Sequence, residues 1–215
     1  MEIIKNCVKY GVSSYDKTYL YKINDTDNDK DKEVIKEIKK SNVFVRIHKL
    51  KDEIYISIRG TDDLSDWFNN LRRWKHRFLP GTKVHSGFLE HLNMVYDDIF
   101  KEIIEYKKIT IIGHSLGGAV SVLLGSKISY FDSSIECNVV TYGSPRVGDN
   151  KFKLLCNSLP NFKCYRVYNN YDLITKVPYF GFHHIGLKYK VTSNNVSMYK
   201  IKKTHSMMTY MRSLL

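Results

Sequence analysis

The sequence is short of cysteine and has no long apolar run. Only 4 of its 215 residues are cysteine, and Cys7, Cys137, Cys156 and Cys164 lie far apart with no Cys-x-x-Cys pair. This spacing argues against a disulfide framework and against a zinc site. No apolar run approaches the length of a membrane span, and the first residues lack the apolar core of a signal peptide. We therefore expect a cytoplasmic or otherwise intracellular protein with reduced thiols.

Acidic residues are scarce relative to basic ones. The chain carries 22 acidic and 34 basic residues, which gives a formal net charge of +12. Such an excess favours anionic partners such as nucleic acid, an acidic lipid surface or an acidic substrate, although a lysine-rich surface that serves solubility explains it equally well. Because no nucleic-acid motif accompanies the charge, we expect no nucleic acid partner. Attraction to an anionic membrane surface stays a hypothesis.

Apolar residues occur in an ordinary globular proportion. They make up 43% of the 215 residues, which is enough for one domain with a sizeable core. The sequence contains no internal repeat and no linker. We therefore expect a single domain over residues 1–215.

The order of the apolar segments predicts an α/β fold. Strands alternate with helices from residue 108 onward, a pattern that predicts a central, mostly parallel sheet flanked by helices. Two β-branched runs joined by a polar segment predict an antiparallel hairpin nearer the N-terminus. The expected helices include a short one within residues 1–20, one over residues 31–40 and a longer one that begins near Phe88. The expected strands cover residues 43–47, 54–58, 108–113, 137–142 and 164–168.

A sharp turn between a predicted strand and a predicted helix carries the strongest chemical signal. Residues 113–117 read Gly-His-Ser-Leu-Gly, the Gly-x-Ser-x-Gly pattern of a nucleophile elbow. The glycines are expected because a Cβ at either position would crowd the neighbouring backbone. The turn places the Ser115 hydroxyl over the N-terminus of the next helix, where free N–H groups favour a developing negative charge. The N–H of Leu116 is one expected oxyanion donor, and Thr61, at the end of an earlier strand, is the other.

A serine nucleophile needs a histidine to accept its proton and an acid to orient that histidine. Asp172 directly follows a predicted strand, which places its carboxylate at the same sheet edge as the elbow, and we favour it over Asp149. His114, inside the elbow, is expected to pack or hydrogen-bond locally rather than to act as the base. The spacing leaves the choice of base open among the histidines that lie downstream, which are His183, His184 and His205.

An amphipathic segment over residues 62–74 has two interpretations. Trp67, Phe68, Leu71 and Trp74 fall at helical spacing, and several basic residues follow. A segment with aromatic residues on one side and basic residues on the other suits a lipid–water interface. A helix that packs its apolar stripe permanently on the core explains the pattern equally well.

Seven stretches form one ordered set, and they are residues 58–61, 66–67, 84–89, 113–118, 141–148, 166–178 and 184–186. In this order they resemble the class 3 lipase family, the fungal-type triacylglycerol lipases. The resemblance implies an α/β-hydrolase fold in which Ser115 is the nucleophile, Asp172 the orienting acid and His205 the base. It also implies an oxyanion hole formed by Thr61 and Leu116, a lid in the segment around Trp67, and chemistry that needs no metal or cofactor.

The sequence therefore predicts a serine hydrolase that cleaves carboxylic esters of lipids through an acyl-enzyme on Ser115. The expected substrate is an acylglycerol or a phospholipid at a lipid–water interface. A soluble short-chain or aryl carboxylesterase is the main alternative within the same enzyme class. A catalytically silent member that binds lipid is the alternative from a different class.

Overall fold

The computed structural model describes residues 1–15, 32–60, 74–192 and 204–214. The helices are α1 (Glu2–Ser13), α2 (Ser86–Ile103), α3 (Leu116–Phe131), α4 (Asn150–Ser158) and α5 (Met207–Arg212), with a 3₁₀ turn over Leu173–Lys176. The strands are β1 (Lys32–Lys40), β2 (Val43–Leu50), β3 (Glu53–Arg59), β4 (Lys75–Arg77), β5 (Lys83–His85), β6 (Lys108–His114), β7 (Glu136–Tyr142), β8 (Phe162–Asn169) and β9 (Leu187–Val191).

Seven of the described strands form one mixed sheet in the order β1-β2-β3-β6-β7-β8-β9. The first three pair antiparallel, and β3, β6, β7, β8 and β9 pair parallel. Parallel neighbours require crossover connections, which the intervening helices supply. The predicted α/β architecture and the antiparallel hairpin of β2 and β3 are both confirmed.

The helix predicted over residues 31–40 is wrong, because Lys32–Lys40 forms the edge strand β1. The strand pairs with β2 along its length, with a register shift between Val34 and Lys36. Such a bulge inserts one extra residue, so that two side chains three positions apart face the same side of the sheet. Ile38 is buried in the core and Ile35 packs against that core. The bulge therefore gives this strand the three-residue apolar spacing that is also typical of a helix.

The largest core lies between the sheet and helices α2 and α3. Helix α2 buries Phe88, Leu92, Val95, Ile99 and Ile103, all with no exposed surface. These positions recur every three or four residues, so the helix presents one apolar stripe to the sheet. The long helix predicted to begin near Phe88 is confirmed.

The opposite face of the sheet is covered by the two ends of the described chain. Ile4 and Val8 of α1 share a cluster with Met207 and Tyr210 of α5 and with Ile112 of β6. The first and last described helices therefore pack against the same strand, β6. Because α5 begins two residues after His205, with Ser206 as its N-cap, its packing on the sheet restricts where that histidine lies.

No helix in the described ranges is both long and apolar enough to cross a bilayer. All four cysteines are free and buried. Burial raises the pKa of the Cys7 and Cys137 thiols to about 12, so both stay protonated at neutral pH. Protonated thiols are poor nucleophiles.

Candidate active site

Ser115 occupies the turn between strand β6 and helix α3. Its backbone has φ 57° and ψ −126°, a combination that an L-residue adopts only under strain. The Ser115 N–H donates to the carbonyl oxygen of Tyr142 at 3.0 Å, which ties the turn to the end of β7. Helix α3 begins at Leu116, so Ser115 sits at the N-terminus of that helix.

Two glycines of the turn are required by close backbone packing. A Cβ on Gly117 would overlap the carbonyl oxygen of Ile58, and a Cβ on Gly113 would overlap the carbonyl oxygen of Gly117. Backbone atoms cannot swing aside as a side chain does, so larger residues are excluded at both positions. A Cβ on Gly60 would lie 2.5 Å from the Leu116 Cβ. The end of β3 therefore packs directly against the start of α3.

Asp172 and His205 meet in the interior, although 33 residues separate them. The His205 Nδ1 lies 2.7 Å from the Asp172 Oδ2, and the two side chains are 2% and 0% exposed. Gly143, with φ +60°, makes room for the pair, because a Cβ there would lie 2.8 Å from that same oxygen. An ion pair or hydrogen bond so far from water is screened very little.

Three further contacts hold the Asp172 side chain and its backbone. The Tyr210 hydroxyl donates to Oδ2 at 2.6 Å, and the Ile174 N–H donates to Oδ1 at 3.0 Å. The Thr175 hydroxyl donates to the Asp172 carbonyl oxygen at 2.8 Å. Both carboxylate oxygens therefore accept hydrogen bonds, which hold the side chain in one orientation. Sequence reasoning missed Tyr210, since nothing in the local pattern relates it to Asp172.

The contact with Asp172 fixes the tautomer of His205. An ionised carboxylate only accepts hydrogen bonds, so the Nδ1 of His205 must carry the proton and donate it. The Nε2 of the neutral ring is then left as an acceptor. Within the described part of the chain, neither this Nε2 nor the buried Ser115 Oγ has a hydrogen-bond partner. Both atoms are available for a proton transfer.

His114, the residue before Ser115, contacts the backbone of His205. Its Nε2 contacts the His205 carbonyl oxygen and its Nδ1 lies 2.7 Å from the Tyr15 hydroxyl. A carbonyl oxygen accepts only, so the Nε2 of His114 carries the proton and the Tyr15 hydroxyl donates to Nδ1. Burial, followed by the nearby His205, lowers the pKa of His114 well below its usual value. His114 is therefore a neutral side chain that holds the His205 backbone in place. Sequence reasoning did not predict its hydrogen bond with Tyr15 in the N-terminal segment.

The competing acid and the other downstream histidines lie in different surroundings. Asp149 caps helix α4, where its Oδ1 accepts from the Phe152 N–H at 2.8 Å. The Nε2 of His184 lies 2.7 Å from the Thr175 carbonyl oxygen, and burial is the main cause that lowers its pKa to about 3. His183 forms an isolated backbone bridge with Gly148. The structure thus brings His205, rather than these residues, together with Asp172.

Part of the predicted site falls outside the described residues. These positions are Thr61, Trp67, Phe68 and Leu71. Trp74 is described and is 87% exposed, so it is not part of a buried stripe. Among the described residues, no group of three histidine, cysteine, aspartate or glutamate side chains is arranged to hold a metal ion.

Comparison with known families supplies a decisive observation. The family model for lipase (class 3) matches residues 55–182 of this chain. The chain belongs to the class 3 lipase family. The matched range contains the elbow and Asp172, and His205 lies beyond it.

Individual relatives of this chain come from fungi and plants. A lipase of Rhizomucor miehei is 30% identical over 171 residues, which is 72% of this chain and 46% of the relative. A chloroplastic phospholipase A(1) of Arabidopsis thaliana is 32% identical over 152 residues, which is 59% of this chain and 34% of the relative. The chain thus spans less than half the length of these curated relatives. The solved Rhizomucor miehei triacylglyceride lipase superposes with a TM-score of 0.74 at 26% identity, covering 88% of this chain and 79% of that one.

An exposed group of aromatic side chains lies on the segment that follows Asp172. Tyr179 is 68% exposed and Phe180 is 86% exposed. The Lys75 ammonium lies 5.2 Å from the centre of the Phe182 ring, so the segment that carries the exposed Trp74 contacts the segment that carries these two residues. We call Trp74, Tyr179 and Phe180 the aromatic rim.

Basic side chains border the aromatic rim. The Arg146 guanidinium donates to the Tyr179 carbonyl oxygen at 3.0 Å and lies 5.1 Å from the centre of that ring. All three residues of β4, Lys75, His76 and Arg77, are exposed. Within residues 74–77 and 171–182 the one acid is Asp172, which is fully buried. The two segments that carry the rim therefore expose aromatic and basic side chains and no acid.

Proposed function

We propose that this class 3 lipase is a serine hydrolase that cleaves carboxylic esters of lipids through an acyl-enzyme on Ser115. The proposal depends most on one observation. His205 is fixed against Asp172 by its Nδ1 while its Nε2 and the Ser115 Oγ are left without partners in the described chain. A histidine that accepts a proton from a serine hydroxyl needs its Nδ1 held by an acid in this way and its Nε2 left free.

The first half of the reaction forms the acyl-enzyme. The Ser115 Oγ attacks the ester carbonyl carbon as its proton passes to the His205 Nε2. Asp172 stabilises the imidazolium that forms, since its carboxylate already holds the Nδ1–H. The negative oxygen of the tetrahedral intermediate is stabilised at the N-terminus of α3, where the Leu116 N–H is one donor, and Thr61 is proposed as the second. His205 then gives its proton to the leaving alcohol, and the C–O bond breaks.

The second half of the reaction returns the free enzyme. The His205 Nε2 takes a proton from water, and the hydroxide attacks the acyl carbon. The same oxyanion donors stabilise the second intermediate. Its collapse releases the carboxylic acid and returns the proton from His205 to the Ser115 Oγ.

The proposed substrate is an acylglycerol or a phospholipid. The exposed aromatic rim supports a substrate that is presented at a lipid–water interface, because large exposed apolar side chains mark surfaces that bind apolar partners. The names of the relatives, a lipase and a phospholipase A(1), support the same range of substrates. The soluble carboxylesterase and the silent lipid-binding protein remain the alternatives.

A substrate panel tests the proposal. Rates would be measured on tri-, di- and monoacylglycerols, phospholipids and short aryl esters, each below and above its solubility limit. We expect a rise in rate once the substrate aggregates. Turnover confined to dissolved esters would favour the soluble esterase, and no turnover of any ester would contradict the hydrolase.

We also propose that the aromatic rim brings the enzyme to the interface and that its basic border favours anionic lipid. Replacing Phe180 with alanine should reduce hydrolysis of vesicle or emulsion substrates by roughly tenfold or more, since burying a phenylalanine contributes roughly 1.5–3 kcal/mol. Hydrolysis of a dissolved ester should change little. Adding anionic lipid to the vesicles should raise the rate at low salt and less so at high salt.

The matched control is Phe131→Ala. Phe131 is 70% exposed and ends helix α3, whereas the elbow lies at the other end of that helix. This variant should keep its activity on both kinds of substrate. An equal loss of activity in the two variants would show that the rim has no special part in interfacial binding.

A further inference from the structure

Arg166, on strand β8, is a buried arginine that has no acidic partner among the described residues. The residue is 6% exposed, and its guanidinium lies 4.6 Å from the centre of the Tyr168 ring. Its Nε is sealed from solvent and has no hydrogen-bond partner, and no ion pair to it exists among the described residues. Burying a charged group without compensation is costly, so such a group calls for a physical explanation.

A second buried arginine in the same sheet shows how the charge is ordinarily balanced. Arg46 is 1% exposed, and its Nε and its terminal nitrogen both lie 2.8 Å from the Glu37 carboxylate. Its other terminal nitrogen donates to the Ser13 carbonyl oxygen. Each nitrogen of the Arg46 guanidinium thus lies beside an oxygen atom of the protein. The Nε of Arg166 has no such oxygen among the described residues.

The charged neighbours of Arg166 are positive. Lys188 on β9 is its partner in the parallel register, so the two backbones lie side by side. Burial is the main cause that lowers the pKa of Arg166, and the Arg146 guanidinium adds to that effect. After burial, Arg166 is the largest cause of the low pKa of His184, which Arg146 and Lys188 also depress. An arginine stays charged under these conditions, so positive charge is concentrated here with no anionic side chain of the described ranges paired to Arg166.

This group lies next to the loop that carries Asp172. His184 contacts the carbonyl oxygen of Thr175, whose hydroxyl in turn donates to the Asp172 carbonyl oxygen. Arg146 also donates to the Tyr179 carbonyl oxygen in the aromatic rim. The positive group is therefore placed between the buried acid and the surface proposed to meet lipid.

We propose that Arg166, Arg146 and Lys188 form a binding site for a phosphate group. A guanidinium presents a planar fork of donors that matches the oxygens of phosphate, and three cations offset the charge of a phosphate dianion. The phosphate group belongs either to free inorganic phosphate or to a phospholipid headgroup. Binding of free phosphate at this site does not depend on ester hydrolysis.

The test uses the full chain and inorganic phosphate at constant ionic strength. Phosphate should raise the thermal midpoint of the wild type above that in chloride, by about 2–4 °C at a concentration roughly four times its Kd. Lys188→Glu supplies a carboxylate beside Arg166. This variant should have a higher midpoint than the wild type without phosphate, and should lose the shift that phosphate causes.

Lys39→Glu is the matched control. Lys39 is exposed on the opposite edge strand, β1, and its substitution changes the net charge by the same amount. This variant should keep the phosphate shift of the wild type. A wild-type midpoint that phosphate does not raise would overturn the proposal, as would an undiminished shift in Lys188→Glu.

The source of the phosphate group is identified by vesicle binding. In a Ser115→Ala background, which prevents hydrolysis, cosedimentation would be compared on phosphatidylcholine vesicles with and without phosphatidic acid. Weaker binding to phosphatidic acid with Lys188→Glu than with Lys39→Glu would support the site and assign it to the lipid headgroup. Equal binding by the two variants, together with the thermal shift in the wild type, would support the site and assign it to free phosphate.

Discussion

Replacing Ser115 with alanine should reduce ester hydrolysis by about 10⁶-fold, because nucleophile, base and acid act as one unit. The residual rate would come from substrate binding and the oxyanion donors alone. The substitution removes one buried hydroxyl that has no hydrogen-bond partner in the described chain. We therefore expect little loss of stability.

The measurement is kcat/KM on a dissolved aryl ester together with covalent labelling by a fluorophosphonate. A dissolved substrate excludes effects of interfacial binding. The wild type should be labelled at Ser115, and Ser115→Ala should not be labelled at all. A wild type that resists the probe would favour the silent lipid-binding alternative.

Ser126→Ala provides the matched control. Ser126 is also buried and lies in α3, and its hydroxyl donates to the Leu123 carbonyl oxygen at 3.0 Å. Its removal costs this local hydrogen bond, which is worth about 1 kcal/mol, and a contact with the Cys156 thiol. Activity and labelling should both survive. A comparable loss of activity in Ser126→Ala would mean that the helix, rather than the Ser115 hydroxyl, is being tested.

The parallel half of the sheet and the elbow could be predicted because their signals are local. Strand β6 is a short β-branched run, and the Gly113 and Gly117 positions follow from backbone contacts within a few residues and with the adjacent strand. Helix α2 likewise carries a regular apolar stripe. In each case the sequence pattern reflects contacts between a single helix, strand or turn and the one surface that it packs against.

Strand β1 shows where that reasoning fails. A bulge between Val34 and Lys36 changes the side-chain alternation, and the resulting spacing is the one expected of a helix. Pairing with β2 decides the structure, and the pairing is not visible within β1 itself. Tertiary context therefore overrides the local pattern.

The surroundings of His205 could not be predicted from spacing either. The spacing left three histidines open, and the resemblance to class 3 lipases favoured His205. The contacts that hold it come from Asp172, from His114 and, through that residue, from Tyr15. These residues are spread over almost the whole chain, and the folded sheet alone brings them together.

Replacing Asp172 with asparagine should lower kcat/KM by about 10⁴-fold. Both oxygens of Asp172 accept hydrogen bonds, Oδ2 from His205 and Tyr210 and Oδ1 from the Ile174 N–H. An amide must place its NH₂ group at one of these positions. Because the side chain is fully buried, no solvent relieves the mismatch.

Either orientation of the amide impairs the reaction. With the NH₂ group toward Ile174, two donors meet, and the remaining oxygen has no charge to stabilise the imidazolium. With the NH₂ group toward His205, the ring must accept at Nδ1 and carry its proton on Nε2, where it cannot take the proton of Ser115. The loss should appear in kcat/KM for a dissolved ester and in the rate of fluorophosphonate labelling.

Asp149→Asn is the matched control, because the sequence offered Asp149 as the competing acid. Its carboxylate caps α4 through the Phe152 N–H, and asparagine is as good a capping residue as aspartate. This variant should stay within about twofold of the wild type in activity. If Asp149→Asn loses as much activity as Asp172→Asn, or if Asp172→Asn keeps more than about a tenth of the wild-type rate, the acid has been assigned to the wrong residue.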